Sequence, residues 1–187
     1  MIHPLIDAME RQAVVPAMKD PSQLEACLSC SGSVVFVLCG DILNITDLIS
    51  RLHEAGKKAV VHADLVTGLA SREIAVDFLQ RCGADGIIST RPHLVRRGRE
   101  LGLLAVLRVF IIDSKAVSNL RRESEEARPD ALEVLPGAMP HVIGRLSREL
   151  HVPLIAGGLL TGKSDILAAL GAGARCVSTS DSELWGL

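Results

Sequence analysis

The sequence predicts an α/β fold, a small (β/α)8 TIM-like barrel whose last helix is short or missing. Eight short apolar runs alternate with helical patterns at about 20 to 25 residues per unit, the rhythm of parallel strands joined by right-handed helical crossovers. The apolar content is also of the right kind. Of the 187 residues 48% are hydrophobic, yet there are three Phe, one Trp and no Tyr. Strands rich in Val, Ile, Leu and Ala suit a parallel sheet covered by helices. A flavodoxin-like open sheet is the alternative, and it would use only five or six of the runs.

The elements follow in order. Met1–Gln12 reads as a helix closing the bottom of the barrel. The predicted strands are Val14–Ala17, Ser33–Leu38, Ala59–Ala63, Gly86–Ser89, Leu104–Val109, Ala131–Val134, Leu154–Ala156 and Cys176–Ser178. Between them the predicted helices are Pro21–Ser29, Asn44–Ala55, Ser71–Arg81, Pro92–Leu101, Ser114–Ala127, Ala138–Leu150 and Ser164–Ala172. Gly56, Gly83 and Gly102 each stand just after a helix, where a left-handed residue ends it. Ser71 is placed to cap its helix, although Ile74 at the third position denies it a capping box. Only Ser180–Leu187 remain after the eighth strand, too few for a full closing helix. No linker or low-complexity stretch interrupts the chain, so residues 1–187 are expected to form one domain. That length lies just under the usual ~200 residues for this barrel.

Whole-chain properties exclude several function classes. The net charge of −2 gives no global field for nucleic acid. Scarce aromatics argue against a base-stacking surface. No run approaches the ~20 apolar residues of a membrane span, and the segment from Met1 to Pro4 does not open a signal peptide. The chain is expected to be cytoplasmic, with its five cysteines reduced. Cys27 and Cys30 have C-x-x-C spacing, but no second pair follows to complete a zinc site.

In such barrels the chemistry sits at the C-terminal ends of the strands, and the loops after strands seven and eight commonly hold phosphate. Here those loops are Ile155-Ala156-Gly157-Gly158 and Val177-Ser178-Thr179-Ser180. Small side chains and free backbone N–H groups would let an anion approach closely. The expected phosphate residues are Gly157, Gly158, Ser178 and Thr179. Ordinary strand-to-helix turns use the same residue types, so the pair of turns in the right place carries the argument.

Polar residues inside apolar strands are costly to bury without partners. Arg108, Glu133 and Asp64 are the clearest cases, and Lys19 is the only lysine near a strand end. They are expected to face the hydroxyls of a small polyol ligand, since carboxylates accept from hydroxyls and Arg grips anions. A structural salt bridge between Arg108 and Glu133 on neighbouring strands is an equal reading, and both can hold together. His62 alternates with Asp64 and is read first as a packed core residue. Asp41, Asp64 and Glu133 have no spacing that specifies a metal.

In order along the chain, several segments resemble the glycerol uptake operon antiterminator regulatory family. They are Val15-Pro16-Ala17-Met18-Lys19, His62-Ala63-Asp64-Leu65-Val66-Thr67-Gly68-Leu69, Gly86-Ile87-Ile88-Ser89-Thr90-Arg91 and Arg108-Val109-Phe110-Ile111-Ile112-Asp113. Glu133-Val134-Leu135-Pro136-Gly137, Ala156-Gly157-Gly158-Leu159 and Ser178-Thr179-Ser180 complete the set. Each is short, but as an ordered set they are specific. The resemblance implies a TIM-like barrel without catalysis or cofactor. It further implies glycerol 3-phosphate as effector and leader mRNA of glycerol-utilisation genes as partner.

The densest basic run, Arg91, Arg96, Arg97 and Arg99, is the candidate RNA contact, with Arg121, Arg122, Arg145 and Arg148 on the next helices. A homodimer would join two such weak patches. The competing function is a sugar- or polyol-phosphate isomerase, epimerase or lyase using Asp64 and Glu133 as acid and base. No lysine falls at a strand centre, which disfavours a Schiff-base aldolase.

Overall fold

The computed structural model describes residues 3–187. Eight parallel strands form a closed barrel in sequence order, each paired with the next and the last with the first. They are β1 (Val14–Met18), β2 (Val34–Val37), β3 (Lys58–His62), β4 (Gly86–Ser89), β5 (Leu104–Phe110), β6 (Ala131–Leu135), β7 (Leu154–Gly157) and β8 (Cys176–Thr179). The predicted strands are therefore all present, with no end moved by more than one residue and Gly86–Ser89 matched at both ends. The barrel, not the open sheet, is the fold.

Among the described residues eight α-helices accompany them: α1 (Pro4–Gln12), α2 (Leu24–Ser29), α3 (Ile45–Glu54), α4 (Glu73–Arg81), α5 (Pro92–Glu100), α6 (Ser114–Ala127), α7 (Pro140–Glu149) and α8 (Lys163–Gly171). The helix expected over Met1–Gln12 is seen as α1, and Met1 and Ile2 lie outside the described residues. After β8 the described residues form a single 3-10 turn, Ser182–Leu184, and no closing α-helix. Gly56, Gly83 and Gly102 take φ of 73°, 93° and 76°, as helix-ending residues must when the chain reverses. Ser71 does not cap α4. The helix starts later, with Arg72 at its N-cap and no side-chain bond.

The alternation of each strand divides the apolar residues into two cores. One set faces outward under the helices, including Val35, Val61, Ile87, Leu107 and Val134. The other fills the barrel interior: Val15, Phe36, Val60, Ile88, Val106 and Ile155. Ile6 and Met9 of α1 join the interior set and plug its lower end. The upper interior layer has no such plug. It is built from the polar residues that end the strands.

Candidate functional site

Arg108 and Glu133 are register partners on β5 and β6. Each follows an interior apolar residue by two, Val106 and Ala131, so both point into the barrel. Arg108 Nε donates to Glu133 Oε2 at 2.6 Å, and Ser178 Oγ donates to Glu133 Oε1 at 2.6 Å. Glu133 is 1% exposed and both its oxygens are satisfied, which is what makes a carboxylate tolerable there. The structural salt bridge is thus the arrangement seen. The terminal amines of Arg108 make no hydrogen bond among the described residues, so the guanidinium keeps donors for a ligand.

Gly157 sits between these groups. A Cβ there would stand 2.6 Å from Ser178 Oγ and 2.9 Å from Glu133 Oε1, so only glycine leaves the network intact. Gly158 follows at φ 74° and Leu159 at φ 57°, the latter a conformation costly for a side chain with a Cβ. Gly137 N–H donates to the carbonyls of Gly157 and Gly158, which satisfies both. Among the described residues the N–H groups of Gly158, Leu159 and Ser180 have no protein partner. Trp185 Nε1 donates to the Thr179 carbonyl at 2.8 Å and fixes the end of β8.

These groups surround a cavity of about 260 Å³ at the C-terminal ends of the strands, lined by Ala17, Arg108, Glu133, Gly158, Leu159, Ser178, Thr179 and Asp181 among others. That size suits a small metabolite. Larger depressions, about 640 and 690 Å³, lie elsewhere. One is at the opposite end of the barrel around Glu10 and Arg175, and the other is between α5 and α6 around Arg96 and Glu125.

The structure brings together Arg108, Glu133, Gly157, Gly158, Ser178 and Thr179. It does not bring Lys19 to them. Lys19 is exposed, outside the cavity wall, and its N–H donates to Gln23 Oε1. Asp64 is turned toward β4, accepting from Ser89 Oγ at 2.9 Å and from the Thr90 N–H and hydroxyl at 2.7 and 2.9 Å. Asp41 bonds Asn44 and the turn before α3, and no group of three or more His, Cys, Asp or Glu among the described residues could hold a metal.

Sequence reasoning passed over Asp181, which lines the cavity and caps the 3-10 turn by accepting from the Glu183 N–H. Its position immediately after the β8 turn was the available signal. His62, expected first as a packed core residue, is buried as such, its ring in the barrel interior and 2% exposed. Burial and the nearby Arg108 charge hold its pKa down, to about 4, so the imidazole is neutral.

The candidate RNA arginines are spoken for by neighbours. Arg91 Nε lies 3.5 Å from Asp64 Oδ1. Arg96 lies 3.5 Å from Glu73, and Arg97 bonds Asp77 at 2.6 Å and Glu100 at 3.1 Å. Arg99 donates to the Arg128 carbonyl. Next to them, Arg121 and Arg145 share Glu149.

The fold and site define a (β/α)8 barrel carrying a small chamber with a buried Arg–Glu–Ser network and two small-residue turns. Within that class, residues 14–185 match the glycerol-3-phosphate responsive antiterminator family model, and the chain belongs to that family. It is 34% identical over 185 residues to the uncharacterized protein YgcP of Escherichia coli strain K12, covering 98% of this chain and 97% of that one. It superposes on the glycerol uptake operon antiterminator regulatory protein of Listeria monocytogenes 4b F2365 with a TM-score of 0.90 and 33% identity, over 93% of this chain and 95% of the other. An antiterminator-related protein of Thermotoga maritima MSB8 gives a TM-score of 0.83 and 34% identity, over 92% and 97%. Among the described residues no helix is long and apolar enough to cross a membrane.

Proposed function

We propose that this protein is a cytoplasmic glycerol 3-phosphate sensor that binds leader mRNA and prevents early termination of glycerol-uptake and glycerol-utilisation transcripts. The observation that carries this reading is the chamber itself, in a chain of this family. Its phosphate half is the row of unpartnered N–H groups at Gly158, Leu159 and Ser180, with Ser178 and Thr179 beside them. Its polyol half is the free side of Arg108. The effector is the only small molecule the reading requires, and no cofactor enters.

A regulatory rather than catalytic role is supported by how the acid groups are used. Glu133 is held between Arg108 and Ser178, and Asp64 between Ser89 and Thr90. Lys58, which begins β3, and Lys57 just before it lie at the far end of the barrel, and Lys57 Nζ donates to the carbonyls of Cys30 and Gly32.

RNA contact is assigned to the flank of α5, α6 and α7, through Arg91, Arg96, Arg97 and Arg99 with Arg121, Arg122, Arg145 and Arg148. RNA phosphates would have to exchange with Glu73, Asp77, Glu100 and Glu149, so binding is expected to be weak per subunit and steeply salt-dependent. A homodimer would present two such flanks. Effector binding would order the loops after β7 and β8, and it shifts RNA affinity only by its difference in affinity for the two states.

Thermal unfolding with glycerol 3-phosphate, glycerol and inorganic phosphate tests the effector. A ligand at ~100 times its Kd adds ~2.7 kcal/mol, roughly 5–10 °C for a domain of this size. Gel-shift titration of cognate leader RNA with and without glycerol 3-phosphate tests the coupling, and equal affinities would remove it.

A further inference from the structure

His62 ends β3, pairs in register with Ile88 and follows the interior residue Val60 by two positions. Ile88 in turn pairs with Val106, and Arg108 stands two residues beyond Val106 on the same inward face. The imidazole and the guanidinium therefore both point into the upper barrel interior, with β4 between their strands; Arg108 lines the chamber, and its charge is felt at the His62 ring. His62 is 2% exposed, yet its ring makes no hydrogen bond to the described residues, and Nδ1 is fully enclosed without a partner. A buried polar ring left unbonded is unfavourable. An aliphatic side chain would fill the position without that cost, as Val60 does one layer below.

The surroundings decide what the ring presents. Asp64 Oδ2 stands 4.0 Å from Nδ1, too far for a hydrogen bond but on the side that favours a proton there. The Asp64 carboxylate is anchored by Ser89 and Thr90 and does not close the gap in this arrangement. A neutral imidazole protonated on Nδ1 offers Nε2 as an acceptor. Arg108 adds unused donors from its terminal amines in the upper barrel interior. One acceptor beside several donors matches a hydroxyl, which donates and accepts at once, and does not match a bare phosphate.

We propose that His62 is a ligand-binding residue, whose Nε2 accepts a hydrogen bond from a hydroxyl of the small polyol phosphate held in the chamber. This rests on the effector reading above and gives it a specificity determinant. The phosphate is held by the turns after β7 and β8, and His62 with Arg108 distinguishes a polyol ester from a plain alkyl ester.

The test is calorimetric titration of the whole protein with glycerol 3-phosphate and with propyl phosphate, which has the same chain and phosphate but neither hydroxyl. Wild type is expected to prefer glycerol 3-phosphate, and His62→Phe to reduce that preference about tenfold while leaving propyl phosphate unchanged. His62→Gln, whose amide oxygen restores an acceptor, is expected to recover most of it. A preference unchanged in His62→Phe overturns the proposal, and the ring is then a packing residue with a structural water at most. Should His62→Phe fail to fold, histidine ring ¹⁵N spectra of wild type decide. The His62 nitrogens should shift with glycerol 3-phosphate and stay put with propyl phosphate, and equal responses overturn the proposal. A wild type that binds neither ester removes the effector reading and this one together. A wild type that binds both esters equally removes only this one.

Discussion

Arg108 and Glu133 face each other across β5 and β6 as register partners, with Nε and Oε2 2.6 Å apart and the two side chains 9% and 1% exposed. Ser178, 45 residues further along the chain, completes the carboxylate from β8. One buried acid thus ties three strands at the level where the chamber opens. Breaking such a pair from one side leaves a charge buried alone, which costs about 3–5 kcal/mol, while replacing both partners by apolar residues is often neutral. Glu133→Leu is therefore expected to lower stability by about that amount, and Arg108→Met/Glu133→Leu to lie closer to wild type than Glu133→Leu. Urea unfolding of the singles and the double measures this, and additive losses would count against it.

Gly157→Ala drives a methyl into the Ser178–Glu133 hydrogen bond. Overpacking of this kind costs about 1–3 kcal/mol. The variant should melt earlier and also lose the stabilisation by glycerol 3-phosphate, because the displaced groups line the chamber. A variant that melts earlier but keeps the full ligand shift would separate Gly157 from the site.

Asp181 places a carboxylate beside the proposed phosphate position. Like charges repel, more weakly where water and salt screen them. Asp181→Asn keeps an N-cap side chain for the 3-10 turn and removes the charge. It should tighten glycerol 3-phosphate binding severalfold in dilute buffer and less at high salt. Unchanged affinity at every salt concentration would place the phosphate elsewhere.

His62 predicts a pH dependence of stability. Its folded pKa, about 4, lies below the ordinary 6.5, because burial and Arg108 oppose the charge more than Asp64 favours it. As pH falls through that window the unfolded chain takes up the proton first. The contribution is fully present above pH 6.5 and is lost toward pH 4, with a limiting slope of about 1.4 kcal/mol per pH unit. Chemical unfolding of wild type and His62→Phe between pH 7 and 4 should show this slope in the difference between them. Parallel curves would contradict the shift.

Element type and order were legible because they are local. The alternation of apolar runs with amphipathic segments marks Leu104–Val109 as a strand and Ser114–Ala127 as a helix with no knowledge of neighbours. Gly83 and Gly102 announce helix ends through backbone geometry alone. Arg108 and Glu133 stood out because each interrupts an aliphatic strand, and a barrel with strands in sequence order brings such positions side by side.

What the sequence by itself determined is the family, the eightfold strand–helix repeat and the pair of small-residue turns at Gly157 and Ser178, since each is carried by short local segments in a fixed order along the chain. What only the tertiary structure decided is partnership. It gave Asp64 to Ser89 and Thr90, left Lys19 outside the cavity, matched Arg96 and Arg97 with acids on two helices, and set Asp181 in the chamber wall. It also left His62 buried without a hydrogen-bond partner among the described residues. Hydrogen bonds and ion pairs act over about 3–4 Å, and at that range the register and closure of the barrel choose among residues far apart in the chain.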